Sequence, residues 1–198
     1  MKIAIIDYGV GNLRSVEKGL AYVGVPSQVT RDPSEIDSAD AIVLPGVGAF
    51  ESGMRQIEPL KRVVLDRVRG GTPMLGVCLG MQMLYEESEE GGIFKGLGLV
   101  KGRITRFSNG LKVPHMGWNS LSVKKEHPML KNIKDGSYVY FVHSYKAPVG
   151  ADTVAASEYG GEFTAVVAEG NVVGTQFHPE KSGDVGLRML KNFAKMIG

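Results

Sequence analysis

Cys78 is the only cysteine among the 198 residues and lies at the centre of Gly76-Val77-Cys78-Leu79-Gly80. A nucleophile between two such glycines, at a sharp turn from a strand into a helix, is the sequence form of a nucleophile elbow. The glycines leave room for close backbone contacts that a Cβ atom would block. A lone cysteine is more often a small buried hydrophobe, but the glycines and the flanking strand and helix patterns favour a catalytic thiol here.

His178 and Glu180, 100 residues downstream, could activate this thiol. A thiol near its ordinary pKa is mostly protonated at neutral pH, so a cysteine nucleophile needs a base or a positive field. An imidazole can take the proton, and a carboxylate on its other ring nitrogen fixes its tautomer and orientation. The alternative interpretation of His178-Pro179 is a simple turn, since His-Pro also occurs at His127-Pro128.

Acyl transfer also requires hydrogen-bond donors for the developing oxyanion. The backbone N–H of Leu79 follows the nucleophile directly and is one candidate. A second could come from Gly46-Val47-Gly48, in a predicted loop over residues 45–50, because its glycines let an N–H turn toward the site. A phosphate-binding loop is the alternative, but no Gly-Lys-Ser/Thr sequence follows these glycines.

The elements that must position these residues alternate along the first half of the chain. Apolar patterns predict strands over 3–7, 41–44 and 73–77, each followed by a helix. The helix after Cys78 is predicted to span 80–87, with Gln82 as the one polar residue that could face a pocket. Alternating strands and helices favour an α/β fold whose mostly parallel sheet is covered on both faces. In such sheets reactive groups collect at the carboxyl ends of the strands, where Cys78 and the 45–50 loop lie.

The second half is rich in β-branched and aromatic residues and predicts additional antiparallel strands. The predicted strands cover 97–107, 121–123, 138–143, 154–158 and 163–175, with a hairpin turn at Gly170-Asn171. A final helix is predicted over 184–197. The segment 115–119, which contains the only tryptophan, is predicted to be a loop that could form either a surface patch or a corner of the core. Without a linker or repeat, we expect one domain over residues 1–198.

The composition of the chain argues against several classes of function. A net charge of +2 gives no signal for nucleic acid or an anionic membrane. No apolar run approaches the roughly 20 residues that a membrane span needs. One cysteine and four scattered histidines give no zinc-type spacing, so neither a metal nor a cofactor is predicted. A single cysteine fits a reducing compartment, and we expect a cytoplasmic location.

The chain resembles the glutamine amidotransferases of the Cys-His-Glu type. Within that family it is similar to the glutaminase subunits of imidazole glycerol phosphate synthases, which serve histidine biosynthesis. The segments that carry the family resemblance are 76–82, 45–48 and 176–182. The segments that carry the similarity to this branch are 7–13, 114–119 and 140–145. The main alternative is a glutaminase that serves another synthase, such as those making pyridoxal phosphate, purines or anthranilate.

The resemblance implies a role for each of these residues. Cys78 would form a thioester with glutamine, His178 would transfer protons, and Glu180 would orient His178. Backbone groups among Gly46, Val47, Gly48 and Leu79 would form the oxyanion hole. The residues implied to bind glutamine are Gln82, Glu90, His143, Ser144 and Tyr145. Ammonia would pass to a cyclase subunit with a (β/α)8 barrel, in a heterodimer whose interface would include Asn12, Trp118 and Lys181.

Two functional hypotheses other than glutamine hydrolysis remain open from the sequence. One is another elbow enzyme of the same sheet class, such as a cysteine peptidase or deglycase, which would not need the His178-Pro179-Glu180 segment. The other is a binding module that keeps the fold without catalysis. The presence of Cys78, His178 and Glu180 together weighs against both.

Overall fold

The first half of the chain alternates strands and helices, as its apolar pattern predicts. The computed structural model describes residues 1–108 and 110–197. In chain order these elements are β1 (Ile3–Ile6), α1 (Leu13–Tyr22), β2 (Ser27–Thr30), α2 (Pro33–Asp37), β3 (Ala41–Gly46), α3 (Phe50–Arg69), β4 (Met74–Cys78) and α4 (Leu79–Leu84). The short elements β2 and α2 are absent from the sequence-based prediction.

The second half consists mostly of strands and ends in a helix. In chain order these are β5 (Tyr85–Ser88), β6 (Phe94–Lys95), β7 (Val100–Arg106), β8 (His115–Ser120), β9 (Ser122–Val123), β10 (Tyr138–His143), β11 (Tyr145–Lys146), β12 (Thr153–Glu158), β13 (Glu162–Glu169), β14 (Val172–Thr175) and α5 (Gly183–Ala194). The hairpin predicted at Gly170-Asn171 joins β13 to β14. Gly170 has φ 56°, which a glycine adopts without strain.

An eight-stranded sheet in the order β2-β1-β3-β4-β14-β13-β12-β9 forms the centre of the molecule. The strands from β2 to β14 in this order pair in parallel, and the remaining three pair antiparallel. Strands β1, β3, β4 and β14 are buried along their whole length, as expected for parallel strands covered on both faces. Two apolar clusters lie against this sheet. The predicted fold class is confirmed.

The pairing of β4 explains how distant segments meet. β4 lies between β3 and β14, with Gly46 paired to Cys78 and Thr175 paired to Val77. Because all three strands run in the same direction, the residues that follow them leave the sheet at one edge. The segment after Thr175 therefore passes beside Cys78, although it lies almost 100 residues further along the chain.

The loop predicted over 45–50 is shorter than expected, since Pro45 and Gly46 end β3 and Phe50 begins α3. Two predicted elements are wrong. The helix predicted over 80–87 ends at Leu84, because β5 follows at once and pairs with β6 and β7. The segment predicted as a loop over 115–119 is part of β8, which pairs antiparallel with β10 in a separate two-stranded ribbon. Gly117, with φ 136°, interrupts the apolar pattern of β8 and gives it the composition of a loop.

Among residues 1–108 and 110–197, none of the helices combines the length and the apolar character needed to cross a membrane.

Candidate active site

Cys78 occupies a strained turn between β4 and α4. Its backbone has φ 55° and ψ −110°, a conformation that residues with a Cβ rarely adopt. Such strain costs on the order of 1–3 kcal/mol and persists only where the surrounding structure enforces it. The geometry matches the elbow predicted from the sequence, and it directs the side chain away from the path of the strand.

The glycines around Cys78 allow this turn to pack against the end of β3. A Cβ atom on Gly80 would lie 1.8 Å from the carbonyl oxygen of Leu44, and one on Gly76 would lie 2.8 Å from the carbonyl oxygen of Gly80. On Gly46 it would lie 2.5 Å from the Tyr8 hydroxyl. These distances are far below van der Waals contact, so the elbow depends on all three glycines.

We expect Gly80→Ala to lower the free energy of unfolding by about 3 kcal/mol, because the new methyl group overlaps a backbone oxygen that cannot rotate away. The measurement is urea denaturation followed by circular dichroism. Gly150→Ala is the control, since a Cβ atom at Gly150 meets no atom within 4 Å. Equal stability of the two variants would contradict this account of the elbow.

His178 and Glu180 form a buried pair beside the elbow. His178 Nδ1 lies 2.8 Å from Glu180 Oε1, and their side chains are 2% and 1% exposed. The backbone N–H of His178 donates to the Tyr140 carbonyl at 3.1 Å. The Ser182 hydroxyl donates to the His178 carbonyl at 2.6 Å. The imidazole is therefore held by a carboxylate on one ring nitrogen and by its backbone on both sides.

The other ring nitrogen of His178 faces the thiol. Within the described part of the chain, Nε2 is buried and has no partner at hydrogen-bonding geometry. Burial alone would lower the pKa of His178, but the interactions with Cys78 and with Glu180 outweigh it and raise that pKa to about 10. Catalytic hydrogen bonds are often long before substrate binds. The arrangement suits transfer of the thiol proton to Nε2.

Cys78 and His178 open into a cleft of about 290 Å³. This volume suits a small polar metabolite. The residues that line the cleft are Val47, Gly48, Cys78, Leu79, Gln82, Glu90, Pro114, Val142, His143, Ser144, Tyr145 and His178. It therefore brings together all five residues predicted to bind glutamine with three of the four predicted oxyanion-hole residues. Gly46 and Glu180 lie outside the lining, Gly46 beside Cys78 in the sheet and Glu180 behind His178.

Buried polar groups hold one wall of the cleft. Burial lowers the pKa of His143, and its hydrogen bond to the Tyr145 carbonyl raises it by a smaller amount. The net effect is a pKa of about 3. The neutral ring donates from Nδ1 to that carbonyl at 2.7 Å, and its Nε2 lies 3.2 Å from Nδ1 of His115. His115 is a supporting residue that the sequence-based prediction left unassigned. Its position in β8, paired with His143 in β10, is visible only once the ribbon is formed.

Glu90 connects the cleft to the start of α3. Its Oε2 accepts a hydrogen bond of 2.8 Å from the backbone N–H of Phe50. A carboxylate at this position is favoured by the partial positive charge of a helix N-terminus. Glu90 thereby ties its side of the cleft to the end of the short loop between β3 and α3.

The three residues predicted at a partner interface do not line the cleft. Trp118 is 56% exposed, Lys181 is exposed, and Asn12 is half-buried just before α1. Trp118 shares the β8–β10 ribbon with two other exposed apolar residues, Met116 and Tyr138. Contiguous exposed apolar side chains of this kind are typical of a protein interaction surface.

A larger surface concavity of about 570 Å³ is lined by residues between Val123 and Ile133 and contains none of the predicted site residues. In the described ranges, no three or more His, Cys, Asp or Glu residues are grouped so that they could hold a metal ion.

Sequence comparisons place the chain among known proteins. The family described as Glutamine amidotransferase class-I matches residues 4–197. The chain is 55% identical to the imidazole glycerol phosphate synthase subunit HisH of Methanosarcina acetivorans, with 98% of each sequence covered. It is 50% identical to the subunit of the same name from Caldanaerobacter subterraneus subsp. tengcongensis, again over 98% of each.

Structural comparison gives the same fold. PurLQS from Thermotoga maritima matches with a TM-score of 0.78 and 21% identity, covering 100% of this chain and 99% of that one. A structure described as a glutamine amidotransferase matches with a TM-score of 0.78 and 19% identity, covering 98% of each chain. At these identities the likeness concerns the fold alone.

The family assignment follows from the sequence matches, which extend over nearly the whole chain. Relatives at 50–55% identity share one printed name and cover 98% of this chain. The chain therefore belongs to the class-I glutamine amidotransferase family, in the branch of the imidazole glycerol phosphate synthase subunits HisH.

Proposed function

We propose that this protein hydrolyses glutamine to glutamate and ammonia, as the glutaminase subunit of an imidazole glycerol phosphate synthase in histidine biosynthesis. The observation that carries the proposal is the buried His178–Glu180 pair next to a strained Cys78, at one end of a small polar cleft. The 55% identity to an imidazole glycerol phosphate synthase subunit HisH favours this synthase over the alternative ones. The chemistry follows from the groups in the cleft.

The first half of the reaction forms a thioester. The Cys78 thiol gives its proton to Nε2 of His178, and the thiolate attacks the side-chain amide carbon of glutamine. The carbonyl oxygen becomes an oxyanion, which the N–H of Leu79 and an N–H of the Gly46-Val47-Gly48 segment stabilise. As the C–N bond breaks, His178 gives the proton to the nitrogen, and ammonia leaves. Glu180 holds the imidazole in the orientation that both transfers need.

The second half regenerates the enzyme. His178 takes a proton from a water molecule, whose oxygen attacks the thioester carbon. The same donors hold the second oxyanion. The C–S bond then breaks, the sulfur recovers its proton from His178, and glutamate leaves.

Glutamine binds along the cleft between Glu90 and the 143–145 segment. Gln82 and the polar groups of His143, Ser144 and Tyr145 face the same space as the thiol. Glu90 supplies a carboxylate, which can pair with the ammonium group of the substrate. These contacts would place the amide carbon next to Cys78.

Ammonia passes to a cyclase subunit with a (β/α)8 barrel. That subunit combines it with a phosphoribulosyl-formimino aminoimidazole carboxamide ribotide, giving imidazole glycerol phosphate and aminoimidazole carboxamide ribotide in the cytoplasm. Asn12, Trp118 and Lys181 contact the cyclase. The exposed apolar side chains beside Trp118 support this surface, since burying them on a partner removes apolar area from water.

Mixing the chain with a purified cyclase subunit and the ribotide tests this assignment. We expect glutamine-dependent consumption of the ribotide, with one glutamate released for each turnover. The control is the synthase subunit of an anthranilate- or purine-type enzyme, which should gain no glutamine-dependent activity. Activity with such a subunit, and none with the cyclase, would assign the chain to the alternative synthases instead.

A further inference from the structure

A buried amide side chain links the wall of the cleft to the nucleophile. Gln176 follows β14, is 0% exposed, and places its Nε2 at 3.9 Å from Cys78 Sγ. Its Oε1 accepts a hydrogen bond of 2.9 Å from Nε2 of Gln82. Gln82 Nε2 also donates to the Tyr145 carbonyl at 3.1 Å. One continuous hydrogen-bonded chain therefore runs from the Tyr145 backbone through two amides to the sulfur.

The direction of this chain is fixed by its first member. A backbone carbonyl can only accept, so the group that Gln82 presents to Tyr145 must be its NH2. The same NH2 contacts Gln176, so the atom of Gln176 on that side must be its oxygen. The NH2 of Gln176 is then the group that faces the sulfur. The Tyr145 carbonyl thus fixes the orientation of the Gln82 amide, and Gln82 fixes that of the Gln176 amide. As a result, the group of Gln176 that contacts Cys78 Sγ is a hydrogen-bond donor.

The contacts of the sulfur differ between its two protonation states. Cys78 Sγ lies 3.9 Å from the Val142 carbonyl, to which a thiol can donate its proton. An ionised sulfur loses that interaction but still accepts from the Gln176 amide. Hydrogen bonds to a charged group are roughly twice as strong as those between neutral groups. Gln176 therefore favours the ionised sulfur over the thiol.

We propose that Gln176 is a further catalytic residue, which stabilises the ionised Cys78 sulfur through its amide N–H and keeps the Gln82 carbonyl turned toward the cleft. The second role follows because both hydrogens of the Gln82 amide are directed at Tyr145 and Gln176, which leaves Oε1 of Gln82 as the atom free for the substrate. An acceptor there recognises an N–H donor, such as the amide or the ammonium group of glutamine. The inference rests on the proposed function, since ionised Cys78 is the reacting group there.

The pH dependence of Cys78 alkylation by iodoacetamide tests the proposal on the full chain. Because Cys78 is the only cysteine, the label reports on that residue alone. We expect Gln176→Met, which keeps the length but has no N–H, to move the midpoint of alkylation upward by about one pH unit or more. With glutamine as substrate, kcat/KM should fall about 10- to 100-fold.

Two further variants separate this effect from general damage. Thr175→Val removes a fully buried hydroxyl one residue away, which donates to the Phe177 carbonyl, and should leave the midpoint unchanged. Gln82→Met frees the Gln176 amide to rotate and should raise the midpoint by a smaller amount. That variant decides the question if Gln176→Met does not fold.

An unchanged midpoint in folded Gln176→Met would overturn the inference, as would an equal shift in Thr175→Val. Alkylation requires neither glutamine nor a partner, so the two proposals can fail separately. A shifted midpoint in Gln176→Met, with no glutamate released by the wild-type chain in the presence of the cyclase and ribotide, would contradict the proposed function alone. Normal glutaminase activity with an unshifted midpoint would contradict only the role of Gln176.

Discussion

Cys78→Ser is expected to lower glutamine-dependent turnover in the complex with the cyclase by about 10⁴-fold or more. The serine hydroxyl holds its proton far more tightly than a thiol does, so His178 cannot generate the nucleophile at neutral pH. No other cysteine exists in the chain to replace it. The measurement is glutamate release at saturating glutamine, compared with the wild-type complex.

The ammonia-dependent reaction serves as the internal control for this variant. Ammonium salts added at alkaline pH should still support the cyclase, because the cyclase uses ammonia and does not need the thioester. Loss of both activities would point to a damaged interface, whereas retention of glutamine-dependent turnover would remove Cys78 from the mechanism. Cys78→Ala should behave in the same way, since it lacks any nucleophilic atom.

The sequence predicts the framework of this fold because strand and helix patterns are local. The apolar segments at 41–44 and 73–77 mark strands β3 and β4, and Gly76 and Gly80 mark the elbow between β4 and α4. The glycine signal has a direct steric cause, since each Cβ atom would overlap backbone. Local signals of this kind need no knowledge of the rest of the chain.

The proximity of Cys78 and His178 is not contained in any local pattern. It depends on the parallel pairing of β14 with β4, which a single sequence does not specify. The sequence motif identifies the residue types that the chemistry needs, and the sheet order supplies the distance between them. The same holds for His115, whose neighbour His143 is found only through the β8–β10 register.

The two wrong elements have related causes. Residues Met81 to Tyr85 are all apolar or buried, so no helix-ending residue marks the change from α4 to β5. In β8, Gly117 and the exposed Trp118 hide a strand that is stabilised by pairing with β10. In both cases tertiary pairing decides the conformation, and intrinsic propensity does not.

Gln176 shows a different limit of sequence reasoning. Glutamine is common on protein surfaces, and its amide can donate or accept. Only its complete burial and the order of its hydrogen bonds assign its two ends. A residue of this type is recognised from the network around it.

Glu180→Gln is expected to reduce kcat/KM for glutamine by roughly 10²- to 10⁴-fold while the protein stays folded. Glu180 accepts from Nδ1 of His178, which leaves Nε2 free to receive the thiol proton. An amide N–H at this position would instead donate to Nδ1 and place the imidazole hydrogen on Nε2, the wrong tautomer for a base. Loss of the negative charge should also lower the pKa of His178 from about 10 toward its ordinary value.

Two measurements distinguish this tautomer effect from a packing defect. Glutamate release gives the kinetic loss, and NMR titration of the four histidines follows the pKa of His178 directly. Asp184→Asn is the matched control, since it makes the same carboxylate-to-amide change at an exposed position in the first turn of α5. Retention of both the rate and the raised pKa of His178 in Glu180→Gln would show that the carboxylate does not orient the base. Another group would then have to orient His178 for proton transfer.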